Sequence, residues 1–148
     1  MNRFNNQQKT KTMIQPNELR LGNCVQTPLG DIMIVTQLGH QDNKDFIGAS
    51  QYKNGELVGF GMNGFKPIEL TPEILEKCGF ETPFIMKDSV KYLDGVMIDL
   101  HNGKILLRDN HMIEIKYLHQ LQNLYYALTG KELDISKFIE QQKNILEN

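Results

Sequence analysis

The chain has no tryptophan, two cysteines and five prolines in 148 residues, and no apolar run reaches the length of a membrane-spanning helix. Each shortage excludes something. Cys24 and Cys78 lie far apart and have no CxxC neighbour, so neither a disulfide framework nor a zinc-type spacing is available. They read as small core thiols in a reducing cytoplasm. An excess of one charge is missing too. Sixteen basic against 18 acidic residues give a net charge of −2, so no global field draws the chain to nucleic acid or to an anionic membrane, and neither is an expected partner. Ser50, Ser89 and Ser136 all lie outside any G-x-S-x-G motif, and Cys24 has no evident histidine with an orienting group. Catalytic residues, cofactors and metal ligands are therefore all expected to be none.

What is present is enough apolar residue, 40% of the chain, for one domain that buries about 70% of its unfolded surface. Residues 1–13 are polar, lack the apolar segment of a signal peptide and read as a disordered tail. Met13 reads as a natural start. The expected fold is a single α+β domain over 14–148. A small, curled antiparallel sheet, partly barrel-like in its first half, is covered by two or three short helices.

The elements follow from local pattern. Cys24–Gln26 and the β-branched run from Ile32 to Thr36, joined across Thr27-Pro28-Leu29-Gly30, form a first hairpin. Residues 38–64, rich in Gly, Asn and Asp, read as short strands and loops. Thr71 caps a helix over 72–78 with Pro72 at its first position, and Gly79 ends it so that Phe80 can fold back on Leu75. A longer helix over 117–129 carries Leu118, Leu121, Leu124, Tyr125 and Leu128 at three- and four-residue spacing and stops at Gly130. A last helix over 135–146 puts Ile135, Phe138, Ile139 and Ile145 on one stripe, which suits the body or a second copy in a homo-oligomer. Gly59-Phe-Gly-Met-Asn-Gly64 matches G-x-G-x-x-G, but Phe65-Lys66-Pro67 follows where a dinucleotide fingerprint needs a helix, so it reads as a glycine-rich loop.

The strongest hairpin signal is Val96–His101, Asn102-Gly103, Lys104–Arg108. A second two-residue turn at Asp109-Asn110 then leads into residues 111–116. Alternation places Val96, Ile98, Leu100, Ile105, Leu107 and Met112 on the core face. Met97, Asp99, His101, Lys104, Leu106, Arg108, His111, Ile113 and Ile115 fall on the other face. On that second face His101, Lys104, Arg108 and His111 form a candidate anion site, since Arg can fork onto a phosphate and Lys adds a point charge. Asp99, His101 and His111 as metal ligands is a weaker alternative, because the register keeps His111 away from His101. The bland alternative is a solvated face with Asp99 and Arg108 as a diagonal ion pair. The polar side of the 117–129 helix offers His119, Gln120, Gln122, Asn123 and Tyr126, of which His119, Asn123 and Tyr126 are the candidate partner-binding residues.

The segments Met13–Asn23, Pro67–Phe80 and Leu118–Gly130 resemble short uncharacterised proteins encoded by bacteriophages and mobile elements of Bacteroides-type bacteria, over about residues 13–134. The resemblance implies a setting, a soluble protein acting in the cytoplasm of a bacterial host cell, and carries no catalytic residue or cofactor. The expected function is a non-enzymatic binding protein. It sequesters an anionic small molecule, such as a nucleotide signal of bacterial defence, or docks on a host protein. A nucleic-acid-binding module with an SH3-like barrel and a structural or assembly protein of a phage are the alternatives.

Overall fold

The computed structural model describes residues 14–53, 56–109 and 112–147, and the chain divides into two compact units between residues 68 and 69. The fold is α+β, with one four-stranded antiparallel sheet in each unit. Among the described residues no helix is long and apolar enough to cross a membrane.

The first unit holds strands β1 (Cys24–Gln26), β2 (Ile32–Gln41), β3 (Lys44–Lys53) and β4 (Glu56–Met62) in sequential order. Met33 and Val35 point inward at period two. A bulge between Val35 and Gln37 then shifts the phase, so that Leu38, opposite Ile47, packs against the core instead of Gln37. Ile14, Leu19, Val25, Ala49 and Phe65 complete that core. The stretch expected as short strands and loops is thus two long strands. Asp42 and Asn43 both take positive φ (54° and 61°), the left-handed geometry that a two-residue hairpin turn demands and that short polar side chains tolerate. Gly59 and Gly61 of the G-x-G-x-x-G match lie in β4, while Asn63 and Gly64 turn the chain with no helix behind them. Asn63 instead serves the sheet, its side-chain oxygen accepting from the Ile47 N–H at 3.0 Å. Lys66 then exchanges two backbone hydrogen bonds with Gln26 on the outer edge of β1, and the sheet curls without closing into a barrel.

The second unit opens with helix α1 (Pro72–Lys77), capped as its sequence predicts. Thr71 Oγ1 accepts from the Ile74 N–H at 3.2 Å. At the other end Gly79 takes φ +97° and the Phe80 N–H reaches back to the Leu75 carbonyl at 3.0 Å. Leu75 and Phe80 are both fully buried there. Strands β5 (Val90–Leu93), β6 (Val96–His101), β7 (Lys104–Leu107) and β8 (Ile113–Glu114) follow in order. Helices α2 (Leu118–Thr129) and α3 (Ser136–Glu147) end the unit, with α3 against α1. Gly130, at φ +73°, closes α2.

Asn102 and Gly103, at φ 51° and 75°, make the expected two-residue turn. Val96, Ile98, Ile105 and Leu107 are accordingly buried. The next turn departs from expectation. Leu107 pairs with Ile113 and Leu106 with Glu114, so five residues rather than four separate the paired positions, and Met112 sits at φ 49°. One extra residue inverts every later side chain. Met112, expected in the core, is 42% exposed, and Ile115, expected on the polar face, is 4% exposed. Ile113 moves to the Leu107 side as well, yet at the short edge strand it stays 53% exposed.

The buried arc of α2 is also rotated from expectation. Leu118, Leu121 and Tyr125 are inside with His119 and Gln122, whereas Leu128 is 57% exposed. Phe138 and Ile139 of α3 are buried within the chain, which removes them from the second-copy contact expected of that helix; the Ile145 side chain lies outside the described residues. The shifted register can be tested directly. Ile115→Ala is expected to cost about 2–4 kcal/mol in urea unfolding, and Ile113→Ala less than about 1 kcal/mol. Equal losses would restore the two-residue second turn.

Candidate functional site

The site grows from the β5–β6–β7 meander. Asp94 and Gly95, at φ 50° and 89°, close a second two-residue turn and bring β5 alongside β6. The Leu100 N–H then donates to the Ser89 carbonyl at 2.7 Å. On β6 the alternation leaves Asp99 and His101 on the face opposite Ile98. Arg108, one residue past β7, reaches back across the strand. Its Nε lies 3.1 Å from Asp99 Oδ2, and its Nη1 donates toward the Met97 sulfur at 3.8 Å. These groups border an open hollow of about 350 Å³, lined by Ser89, Asp99, Leu100, His101, Arg108 and Met112.

The four residues expected as an anion site are therefore only partly brought together. His101 and Arg108 share the hollow. Lys104 stands opposite His101 in the hairpin but lines a second hollow, of about 250 Å³, with Glu69, Glu114, Lys116 and Tyr117 among its walls. His111 lies outside the described residues. The expected Asp99–Arg108 pair is present, and it offsets the one permanent positive charge in the first hollow. The Asp99 side chain is 15% exposed and that of Arg108 46%, so the pair orients the guanidinium more than it stabilises the fold. Arg108 borders the opening alongside Ser89 and His101, with Nε at ion-pair distance from Asp99 and Nη1 turned toward Met97. Met112 adds apolar wall, and Leu100 also borders the opening.

The candidate partner face on α2 needs correction. His119 is 1% exposed, its ring stacked parallel to Tyr117 with centroids 5.8 Å apart. Of the three, Tyr126 is 43% exposed and Asn123 is half-buried. Gln120 is spent on the helix itself, its side-chain oxygen accepting from the backbone N–H of Lys116 and Tyr117 at 3.0 and 3.1 Å. Period 3.6 placed these residues together, but a helix lying deep against its unit buries more than its apolar stripe. The sequence reading missed Ser89, Leu100 and Met112 as hollow-lining residues. The Asp94-Gly95 dipeptide was the available signal, because it predicts β5 and hence Ser89 beside Leu100.

Three titratable groups outside the hollow are shifted from their ordinary values. Cys24 and Cys78 are free thiols, both buried. Burial first, and the Asp134 carboxylate second, push the Cys78 thiol up to about 12. Tyr125 hydrogen-bonds to Asp94; that bond, burial and the carboxylate charge hold its hydroxyl above the usual phenol range. Asp134 is held below the usual carboxylate range, chiefly by the Ser136 hydroxyl and backbone N–H. Among the described residues no three His, Cys, Asp or Glu side chains are grouped to hold a metal ion. Protein families, curated proteins and solved structures, compared with this chain, provide no match.

A raised folded-state pKa contributes stability that is whole below the unfolded value and fades as the pH climbs. For Cys78 the window runs upward from pH 9 toward about 12. The urea midpoint of the parent chain is expected to fall more steeply between pH 8.5 and 11 than that of Cys78→Ala. Parallel slopes would show that the thiol titrates normally.

Proposed function

We propose that the chain is a non-enzymatic binding protein of phage or mobile-element origin that takes up a small anionic ligand of the nucleotide class in the hollow between Ser89, His101 and Arg108. One observation carries this reading: the Arg108 guanidinium, its Nε 3.1 Å from Asp99 Oδ2, borders an opening of about 350 Å³. A guanidinium held beside a carboxylate loses less freedom on meeting a phosphate, to which it can turn N–H donors. Ser89 adds a hydroxyl and His101 a ring nitrogen. Met112 provides apolar wall against which a base can lie, and the volume is near the lower end of small-molecule sites. The likeness of Met13–Asn23, Pro67–Phe80 and Leu118–Gly130 to phage-encoded proteins supports the setting, a bacterial cell during infection, where binding a nucleotide signal of host defence would be useful.

The Asp99 charge limits affinity, because an incoming phosphate meets a carboxylate beside its cation. Titration calorimetry with a panel of cyclic and linear mononucleotides is expected to give heat for at least one member, and Arg108→Ala to abolish it. Asp99→Asn, which removes that repulsion and keeps the side-chain shape, is expected to tighten binding about two- to five-fold, the equivalent of one exposed charge pair. Heat with none of the panel, or binding that ignores Arg108→Ala, would overturn the proposal.

A further inference from the structure

The second hollow, of about 250 Å³, opens where one strand changes partner. Up to Ile115 the chain runs beside β7, the Ile115 N–H bonding the Ile105 carbonyl at 2.8 Å. One residue later the Lys116 carbonyl accepts from the Leu70 N–H at 2.9 Å. The two ladders part there, and Gly103 and Lys104 of the β6–β7 hairpin border the gap. Leu70, Ile105 and Ile115 border it too and are buried. Gln120 fixes the start of the departing segment by accepting from the Lys116 and Tyr117 N–H groups.

Glu69, Lys104, Glu114 and Lys116 border this hollow, and all four are exposed. Two cations and two anions gathered in one place would ordinarily pair off. Among the described residues, none of them lies within ion-pair distance of an opposite charge. Register adds a repulsion. Leu106 pairs with Glu114, so two positions further along Lys116 falls opposite Lys104 on the same face, where facing like charges destabilise. A carboxylate set between the two ammonium groups relieves that repulsion, and an ammonium group complements the unpaired glutamates. We infer that this hollow binds the zwitterion of a free α-amino acid, its carboxylate toward Lys104 and Lys116 and its ammonium toward Glu69 and Glu114. The four charges sum to zero, which disfavours a ligand carrying one sign alone. The volume lies below the ~300 Å³ at which drug-sized sites begin, which suits an amino acid better than a nucleotide. No residue of this hollow borders the one that holds Arg108.

The test is titration calorimetry of the full chain against a panel of the protein L-amino acids, at least one of which is expected to give heat. The N-acetyl derivative and the methyl ester of that amino acid each lack one of its two charges. Both are expected to bind about ten-fold more weakly or worse, the loss of one charge-assisted contact. Lys104→Met and Glu114→Gln are expected to weaken binding by about the same factor, with thermal unfolding that matches the parent because both side chains are exposed. Lys44→Met, at an exposed lysine of the first unit, is expected to leave binding unchanged. Heat with no amino acid would overturn the inference. So would an N-acetyl derivative or methyl ester that binds as well as its parent, or an affinity indifferent to both Lys104→Met and Glu114→Gln.

Discussion

The register of the β6–β7–β8 meander is the constraint on which the second unit depends. Side chains alternate across a pleated strand, so a turn that adds or removes one residue exchanges the interior and the surface of everything beyond it. Asn102 and Gly103 both tolerate positive φ, which makes the first reversal tight and puts Ile98 opposite Leu107. The second reversal is longer by one residue, and that residue sends Ile115 inward and Met112 outward. The Ile115 N–H then bonds the Ile105 carbonyl at 2.8 Å, delivering the chain to Tyr117 and the start of α2. Had the second turn been tight, Ile115 would face water and the core would hold the flexible Met112 in its place.

The same register creates the hollow. Asp99 and Arg108 sit diagonally on the face away from the core, close enough for an ion pair, with Asp99 15% and Arg108 46% exposed. Its consequence is positional. A long side chain that would otherwise sample many rotamers is held across the strand, its Nε beside Asp99 and its Nη1 toward the Met97 sulfur. Specificity for an anion would come from that geometry together with Ser89 and His101 rather than from accumulated charge, since the chain as a whole is slightly acidic.

Helix α2 is locked from several directions. Gln120 ties the helix start to the backbone of Lys116 and Tyr117. Tyr125 reaches Asp94 in the β5–β6 turn, and Thr129 Oγ1 donates to the Tyr125 carbonyl at 2.7 Å near the end. The polar residues His119 and Gln122 go under with the leucines, which turns Leu128 out to solvent. A polar side chain on a helix is thus no guide to its surface when the tertiary contact is wider than the apolar stripe.

Local chemistry decided what the sequence could decide. Thr71 and Pro72 start a helix and Gly79 ends it, Gly130 stops another, and Asn102-Gly103 reverses a strand pair. Each outcome follows from φ values and hydrogen bonds within a few residues, and each was legible from the sequence alone. The α+β class followed from those elements. Two further turns of the same chemistry, Asp42-Asn43 and Asp94-Gly95, carried an equally local signal that composition concealed, the first in a stretch that looked like loop and the second before a strand as short as β5. What only the tertiary structure decided was the length of the Arg108–Met112 turn, the depth to which α2 is buried, and that Lys104, although opposite His101, lines a different hollow from Arg108. None of these is set by neighbours in sequence. They depend on which packed arrangement buries the most apolar surface at once, a sum over strands and helices that no short window of residues contains.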